Sequence, residues 1–504
     1  MLSVFDQGPP PPCPAPFNMA GYVLAKADLT PQKEALLIIG ADHLESWSFA
    51  ELEQAVRGTA RGLSDLGLRP GDRVLMRMGN TVDFPIAYLA ALTAGFVPIP
   101  TSSALTQIET ARIIADIKPR IILRDAQVAC PDHESIVSLE TLRGFRSLPP
   151  AAFHMGDPER LGYIIYTSGT SGVPRAVAHA HRAIWARQMM FNGWYGLRSE
   201  DRLLHAGAFN WTYTLGTGLM DPWTIGATAV IPADGTPPSA LTPMIAKHKA
   251  TIFAAAPGVY RQLLKSPTPF ETPSLRHGLS AGEKLPARIA KAWNSLTGTE
   301  IFEAYGMSEC STFISNAPNA PATPHSLGCP QPGRRIALLD ENGPVPVGSE
   351  GTIAVHRDDP GLMLGYLDAP KETADRFQGD WFLTGDQGVM SEDGHITYLG
   401  RNDDMMNAGG YRVSPIEVEA VLTSLPDITA VAVTDVEIKA DARVIAAFYT
   451  GPAALDDHAL QTYVSDKLAR YKQPRLFIHV PDLPMGANGK ILRRALRDNF
   501  EVPE

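Results

Sequence analysis

Residues 162–175, GYIIYTSGTSGVPR, pass from an apolar, branched run into a loop of hydroxyl-bearing residues and glycines. The run through Thr167 predicts a strand, and the sudden change of composition after it predicts a loop. In that loop Ser168, Thr170 and Ser171 offer hydroxyls, Gly169 and Gly172 let backbone N–H groups approach an anion, and Arg175 adds charge. It is not a Walker A loop, because Gly172 is followed by Val173 and Pro174 where that motif needs Lys and Ser or Thr. Composition alone divides the segment evenly between a phosphate cradle and an ordinary surface turn.

The strand is one of many, and they alternate with helices. Upstream, Ser48 and Glu51 form a capping box that opens a helix over 48–67, a strand follows over 73–78, and a helix spans 82–93. A short strand at 96–99, a second capping box at Thr106 and Glu109, and the apolar run 120–125 continue the series. Downstream, a helix is predicted over 180–192, strands near 227–232 and 251–257, and a helix over 241–249. Such alternation predicts an α/β protein whose parallel and mixed sheets are layered under helices. Between 317 and 348 the chain turns rich in Pro, Gly and small residues, and short strands around tight turns predict a small antiparallel subdomain. A compact set of helices and strands after residue 404 predicts a small α+β C-terminal domain. The boundary falls at Asp403, dividing the chain into 1–402 and 403–504.

The 504 residues are 44% hydrophobic and 19% charged, which suits a globular chain of several domains. A net charge of −10 gives no global attraction to nucleic acid or to an anionic membrane. Four widely spaced cysteines, Cys13, Cys130, Cys310 and Cys329, form neither a zinc motif nor a disulfide framework, and they fit a reducing compartment. No apolar run reaches the roughly 18 residues that a membrane-spanning helix needs. The opening MLSVFDQGPPPPCPAP lacks the charge pattern of a signal peptide and reads as an exposed arm. A soluble, cytoplasmic protein is expected.

The loop 166-YTSGTSGVPR-175 resembles the phosphate loop of the adenylate-forming superfamily, which includes acyl- and aryl-CoA synthetases. Arg175 stands where that loop has lysine, Ser171 where it has threonine, and Ala176 where it has glycine. Further motifs are similar to the same family: 302-FEAYGMSE-309, 384-TGDQG-388, 400-GRNDDMMNAGGYRVSPIEVE-419 and 483-LPMGANGKILRR-494. Taken singly, each has a plain reading as a half-buried tyrosine, a Gly-Asp turn, a charged turn before a helix, or an exposed turn lysine.

The resemblance implies magnesium ATP, CoA and a carboxylic acid as reactants, with Lys490, Thr170 and Glu309 as the catalytic set. It places the nucleotide on Thr167, Ser168, Gly169, Thr170, Ser171, Gly172 and Arg175. Tyr305 packs on adenine, Ser308 faces the phosphates, Asp386 and Arg401 hold the ribose, and Glu309 holds the metal. Gly409 and Gly410 border the pantetheine path, and Asp403 is the hinge about which a mobile small domain turns. A carboxylate would attack the α-phosphate to give an acyl adenylate and pyrophosphate, and the CoA sulfur would then displace AMP. The alternatives are an enzyme that loads a carrier protein and a non-catalytic nucleotide sensor.

The segments FNMAGYVLA and 278-GLSAGEKLP-286 are similar to benzoate-CoA-ligase-like proteins in particular. On that resemblance Phe209, Trp211, Tyr213, Gly282 and Met307 line the acyl site, for an aromatic or short- to medium-chain acid. Each aromatic among them serves equally well as core packing. Nothing in the sequence isolates an oligomer interface.

Overall fold

The structure is a computed structural model that describes residues 1–40, 44–167, 175–265, 272–320, 326–408, 411–439, 442–485 and 491–500. Its largest sheet has nine strands, in the order Cys329–Pro330, Ser311–Ser315, Ile301–Met307, His277–Ala281, Ile252–Ala254, Arg202–His205, Thr228–Pro232, Glu34–Ile39 and Leu44–Ser48. The strands from Ile301–Met307 through Glu34–Ile39 run parallel, and the outer ones turn antiparallel. A second, wholly parallel sheet holds Val97–Pro100, Arg73–Arg77, Ile121–Arg124 and Ile136–Ser138. Strands buried on both faces must be apolar along their whole length, and Ala35 to Ile39 and Ala229 to Ile231 are buried without a break.

Both capping boxes form. Glu51 N–H donates to Ser48 Oγ at 3.2 Å and Glu109 N–H to Thr106 Oγ1 at 3.3 Å, while each glutamate reaches back to the cap backbone at 2.8 Å. The antiparallel subdomain is a seven-stranded sheet around Arg335–Asp340, Glu350–His356 and Trp381–Met390. The C-terminal α+β unit packs helices Pro415–Thr423, Asp457–Ser465 and Arg493–Asp498 with strands Ala430–Lys439, Ala442–Thr450 and Leu476–His479.

Two expectations need correction. The opening residues are not simply an exposed arm: Val4–Asp6 pairs antiparallel with Arg335–Asp340, and Ser3 is buried with its N–H donating to Val345 O at 2.7 Å. Spacing 180–192 as one helix also fails. Arg175–Ala180 is a strand, followed by the short helices Ala183–Ala186 and Gln188–Met190 and a π-helical turn at Phe191–Tyr195. A regular helix buries one stripe, but here Met190 and the adjacent Trp194 and Tyr195 are all fully buried. The wider turn brings both neighbouring rings inward. Burying an aromatic side chain removes about 150–250 Å² from water, roughly 4 kcal/mol or more, which outweighs the lost helical regularity.

Candidate active site

Phe209, Trp211 and Tyr213 follow the parallel strand Arg202–His205, Gly282 follows His277–Ala281, and Tyr305 lies toward the end of Ile301–Met307, at the edge where open α/β sheets bind ligands. Strand Ile301–Met307 carries Tyr305 and then bulges at Tyr305/Gly306 before doubling back as Ser311–Ser315. A Cβ at Gly306 would lie 2.0 Å from Ser311 O, so only glycine lets this hairpin close. The turn it makes exposes Ser308 and leaves Glu309 half-buried.

Tyr305 donates its hydroxyl to Asp386 Oδ2 at 2.5 Å, and Tyr398 donates to Asp386 Oδ1 at 3.4 Å. Asp386 and Arg401 sit opposite each other in the antiparallel pair Trp381–Met390 and Ile396–Arg401, with Arg401 Nη1 3.5 Å from Asp386 Oδ1. Tyr305, Asp386 and Arg401, separated widely in sequence, thus form one cluster. Burial, followed by the Asp386 charge, pushes the phenols of Tyr305 and Tyr398 well above their ordinary value, so both remain donors. The arrangement sets an aromatic plate beside a carboxylate, which offers acceptors to hydroxyl donors.

Glu309 is held from the far side. Tyr366 donates its hydroxyl to Glu309 Oε1 at 2.8 Å, and Met363 N–H donates to the Glu309 carbonyl at 2.7 Å. His179 Nε2 lies 2.7 Å from the Ser308 carbonyl; burial lowers its pKa to about 4, so the ring is neutral. Beneath the turn, the fully buried Arg334 and Asp359 pair at 2.6 Å. Arg175 joins the network through its ring contact: its guanidinium lies 5.1 Å above the Tyr366 ring while Nε pairs with Glu372 Oε2 at 3.0 Å. Burial first, and Glu309 second, push the Tyr366 phenol up to about 12.

Among the described residues no cluster of His, Cys, Asp or Glu side chains could hold a metal by itself. A lone carboxylate fits magnesium, which keeps most of its waters and takes phosphate oxygens from a nucleotide. Thr167 ends its strand directly opposite Arg175. Ser168, Gly169, Thr170, Ser171 and Gly172 lie outside the described residues, as do Gly409, Gly410 and Lys490. Asp403 falls in the 3-10 turn Asn402–Asp404, with its side chain undescribed.

The expected acyl set divides. Gly282, at φ +95°, opens the bend directly after His277–Ala281, and a Cβ there would lie 3.7 Å from Trp211 Cζ2. Trp211 meets Tyr213 edge-to-face at 5.1 Å, and Tyr213 stacks on Trp194 at 6.0 Å. Tyr213 also packs against the cluster that includes Ala281 and Ala304, at the ends of neighbouring parallel strands. Phe209 is buried completely in the main core, and Met307 packs beside Tyr305 in the antiparallel subdomain's core. Sequence reasoning missed Tyr366, Tyr398 and His205. Tyr366 and Tyr398 carry no motif of their own and reach the site only through tertiary pairing.

These features accompany a match of the AMP-binding enzyme model to residues 24–367 and of the AMP-binding enzyme C-terminal domain to residues 417–490. The chain belongs to the AMP-binding enzyme family. It is 31% identical to the mitochondrial acyl-coenzyme A synthetase ACSM3 of Rattus norvegicus over 489 residues, covering 90% of this chain and 84% of that one. It is 30% identical to the benzoate–CoA ligase of Thauera aromatica over 529 residues, covering 98% and 99%. The fold is also similar to the crystal structure of the anthranilate CoA ligase AuaEII in complex with anthranoyl-AMP, with a TM-score of 0.86, 27% identity and coverage of 96% and 98%.

Proposed function

We propose that this protein is an ATP-dependent carboxylate–CoA ligase that forms an acyl adenylate and pyrophosphate, then an acyl-CoA thioester and AMP. The observation that carries the reading is the joining of Tyr305, Asp386 and Arg401 in one cluster, with Glu309 on the turn that follows the strand of Tyr305. The similarity to two CoA-ligating relatives along nearly the whole chain supports the same reading. The acid is aromatic or of short to medium chain.

In this reading Tyr305 packs on adenine, Asp386 accepts from the ribose hydroxyls with Arg401 beside it, and Thr167 through Gly172 together with Arg175 cradle the phosphates. Ser308 faces the phosphate end. Magnesium, when bound through Glu309, supplies positive charge next to the phosphates. Lys490 offsets negative charge where the acid attacks the α-phosphate, a role for a cation with an ordinary amine pKa near 10.4. Trp211, Tyr213 and Gly282 form the acyl end, with Phe209 and Met307 behind it in the two cores, and Gly409 and Gly410 border the path of the CoA arm. No protein nucleophile takes part.

We assign the large domain to 1–402 and the small domain to 403–504, with Asp403 as hinge; the two family matches end and begin on either side of it. Among the described residues no helix is long and apolar enough to cross a membrane. All four cysteines are free thiols, which supports a reducing, cytoplasmic setting.

The test is a panel of carboxylic acids with purified protein, magnesium, ATP and CoA, following AMP release and thioester mass together. Lys490→Ala is expected to lower acid-dependent pyrophosphate release at least a hundredfold, while retaining more of the conversion of preformed acyl adenylate by CoA. Equal loss in both half reactions, with the fold intact, removes the role given to Lys490. Absence of a thioester with every acid overturns the ligase assignment.

A further inference from the structure

His205 ends the parallel strand Arg202–His205 and pairs with Ala254, the last residue of the neighbouring strand Ile252–Ala254, at the carboxyl edge of the main sheet. The next parallel strand, His277–Ala281, ends in alanine and leads into Gly282. The histidine among these small residues is buried completely. Its Nδ1 accepts the Gly207 N–H at 3.0 Å and lies 3.2 Å from Thr214 Oγ1. An imidazole nitrogen that accepts a backbone N–H carries no proton, and burial lowers the His205 pKa to about 3. The ring is therefore the neutral tautomer with its proton on Nε2. Among the described residues, Nε2 has no hydrogen-bond partner.

A second orphan stands beside it. The Tyr213 ring meets His205 edge-to-face at 4.4 Å, and among the described residues its buried hydroxyl has no partner either. A buried polar group left unpaired costs about 1–3 kcal/mol, and two in contact double that cost. Neither group is needed for packing, because phenylalanine and leucine fill such space without polar atoms. The walls around them are aromatic: Trp211 lies 5.1 Å from Tyr213 and 6.1 Å from His205, both edge-to-face, and Trp194 stacks on Tyr213 at 6.0 Å. Gly282 lies across from Trp211, where a Cβ would stand 3.7 Å from Trp211 Cζ2.

We propose that His205 and Tyr213 read a hydrogen-bonding substituent on the acid, and that the substrate class is an aromatic carboxylic acid bearing a ring hydroxyl or amino group. The proposal rests on the ligase reading above and narrows it. His205 donates from Nε2, whereas the Tyr213 hydroxyl can donate or accept, so the pair accommodates a hydroxyl or an amino group while flat rings pack against Trp211. An unsubstituted ring or an alkyl chain leaves both groups unpaired, and sites built this way discriminate strongly against the analogue that lacks the polar group.

The experiment compares benzoate, 3-hydroxybenzoate, 4-hydroxybenzoate, 2-aminobenzoate and hexanoate. Pyrophosphate release gives kcat/KM, and tryptophan fluorescence gives binding of each acid without ATP. At least one substituted ring is expected to exceed benzoate and hexanoate at least tenfold in both measurements. Tyr213→Phe is expected to cut that ratio at least tenfold while the thermal midpoint of the unliganded protein holds or rises, since an unpaired hydroxyl has been removed. A preference for benzoate or hexanoate overturns the proposal. So does a Tyr213→Phe variant that lowers all acids in equal proportion together with the thermal midpoint, the pattern of a hydroxyl that serves only the fold. Selective binding of a substituted acid without pyrophosphate release retains this proposal and removes the ligase reading.

Discussion

At Glu309 the two carboxylate oxygens are not equivalent, because Tyr366 donates to Oε1 alone. A donor on one oxygen fixes the carboxylate plane and leaves the other oxygen for a cation. Arg175 braces the phenol from above its ring, which gives a place to the arginine that replaces lysine in this chain. Tyr366→Phe removes a hydrogen bond to a charged group, worth about 1.5–3 kcal/mol or roughly ten- to a hundredfold. The magnesium concentration giving half-maximal pyrophosphate release is expected to rise at least tenfold in this variant, and Asp386→Asn is expected to raise the KM for ATP with little change in the magnesium curve. Identical magnesium curves for both variants and the wild type count against this positioning. Glu309, Asp386 and Arg401 stood out in the sequence because each sits in a short motif of residue types suited to the ligand proposed for it. Tyr366 was not, since its partner is 57 residues away and a tyrosine after glycine has no chemistry of its own.

Elements show the same division. Capped helices and apolar strands were legible because their signals are local: a hydroxyl with a glutamate three residues on, or an unbroken branched run. The segment 180–192 was misread because its conformation answers to distant partners. Arg187, on the broken helical stretch, places Nε 2.8 Å and Nη2 2.7 Å from the two oxygens of Asp221, and Nη1 2.5 Å from Ser311 Oγ. One guanidinium therefore ties the stretch to the helix Asp221–Ile225 and to the strand that follows the Glu309 turn. Asp221 is fully buried, and its charge, set against burial, holds Arg187 above its ordinary pKa. Arg187→Ala strands that carboxylate and is expected to cost about 3–5 kcal/mol in urea unfolding. Pairing Arg187→Met with Asp221→Leu removes both charges and is expected to recover most of the loss. A double variant no more stable than the single one is inconsistent with an ion pair as the tie.

Over the whole molecule, the α/β order, the antiparallel subdomain and the C-terminal α+β unit were all legible, while the strand pairing of the opening residues depends on an edge more than 300 residues away. The buried histidines likewise reveal their environment only in three dimensions. Burial lowers His179 and His277 to about 4, and His181 and His205 to about 3, from an ordinary 6.5. In the unfolded chain each takes up a proton as the pH falls through 6.5, whereas in the fold each stays neutral until near 4 or below. The unfolded state thus binds more protons in that window, and stability falls with pH by about 1.4 kcal/mol per unit for each such group. Glu303 and Glu419, raised by burial, act in the opposite sense as they gain protons in the fold above their ordinary 4.5. Two carboxylates oppose four imidazoles, so the net slope remains downward. Urea midpoints are expected to be level above pH 7.5 and to drop steeply from pH 6.5 toward 5, before exposed carboxylates titrate. His277→Phe, in which no imidazole remains to be kept neutral at that position, is expected to make this slope shallower by about one proton. A midpoint that stays level to pH 5 in the wild type would show that these four rings are protonated equally in both states.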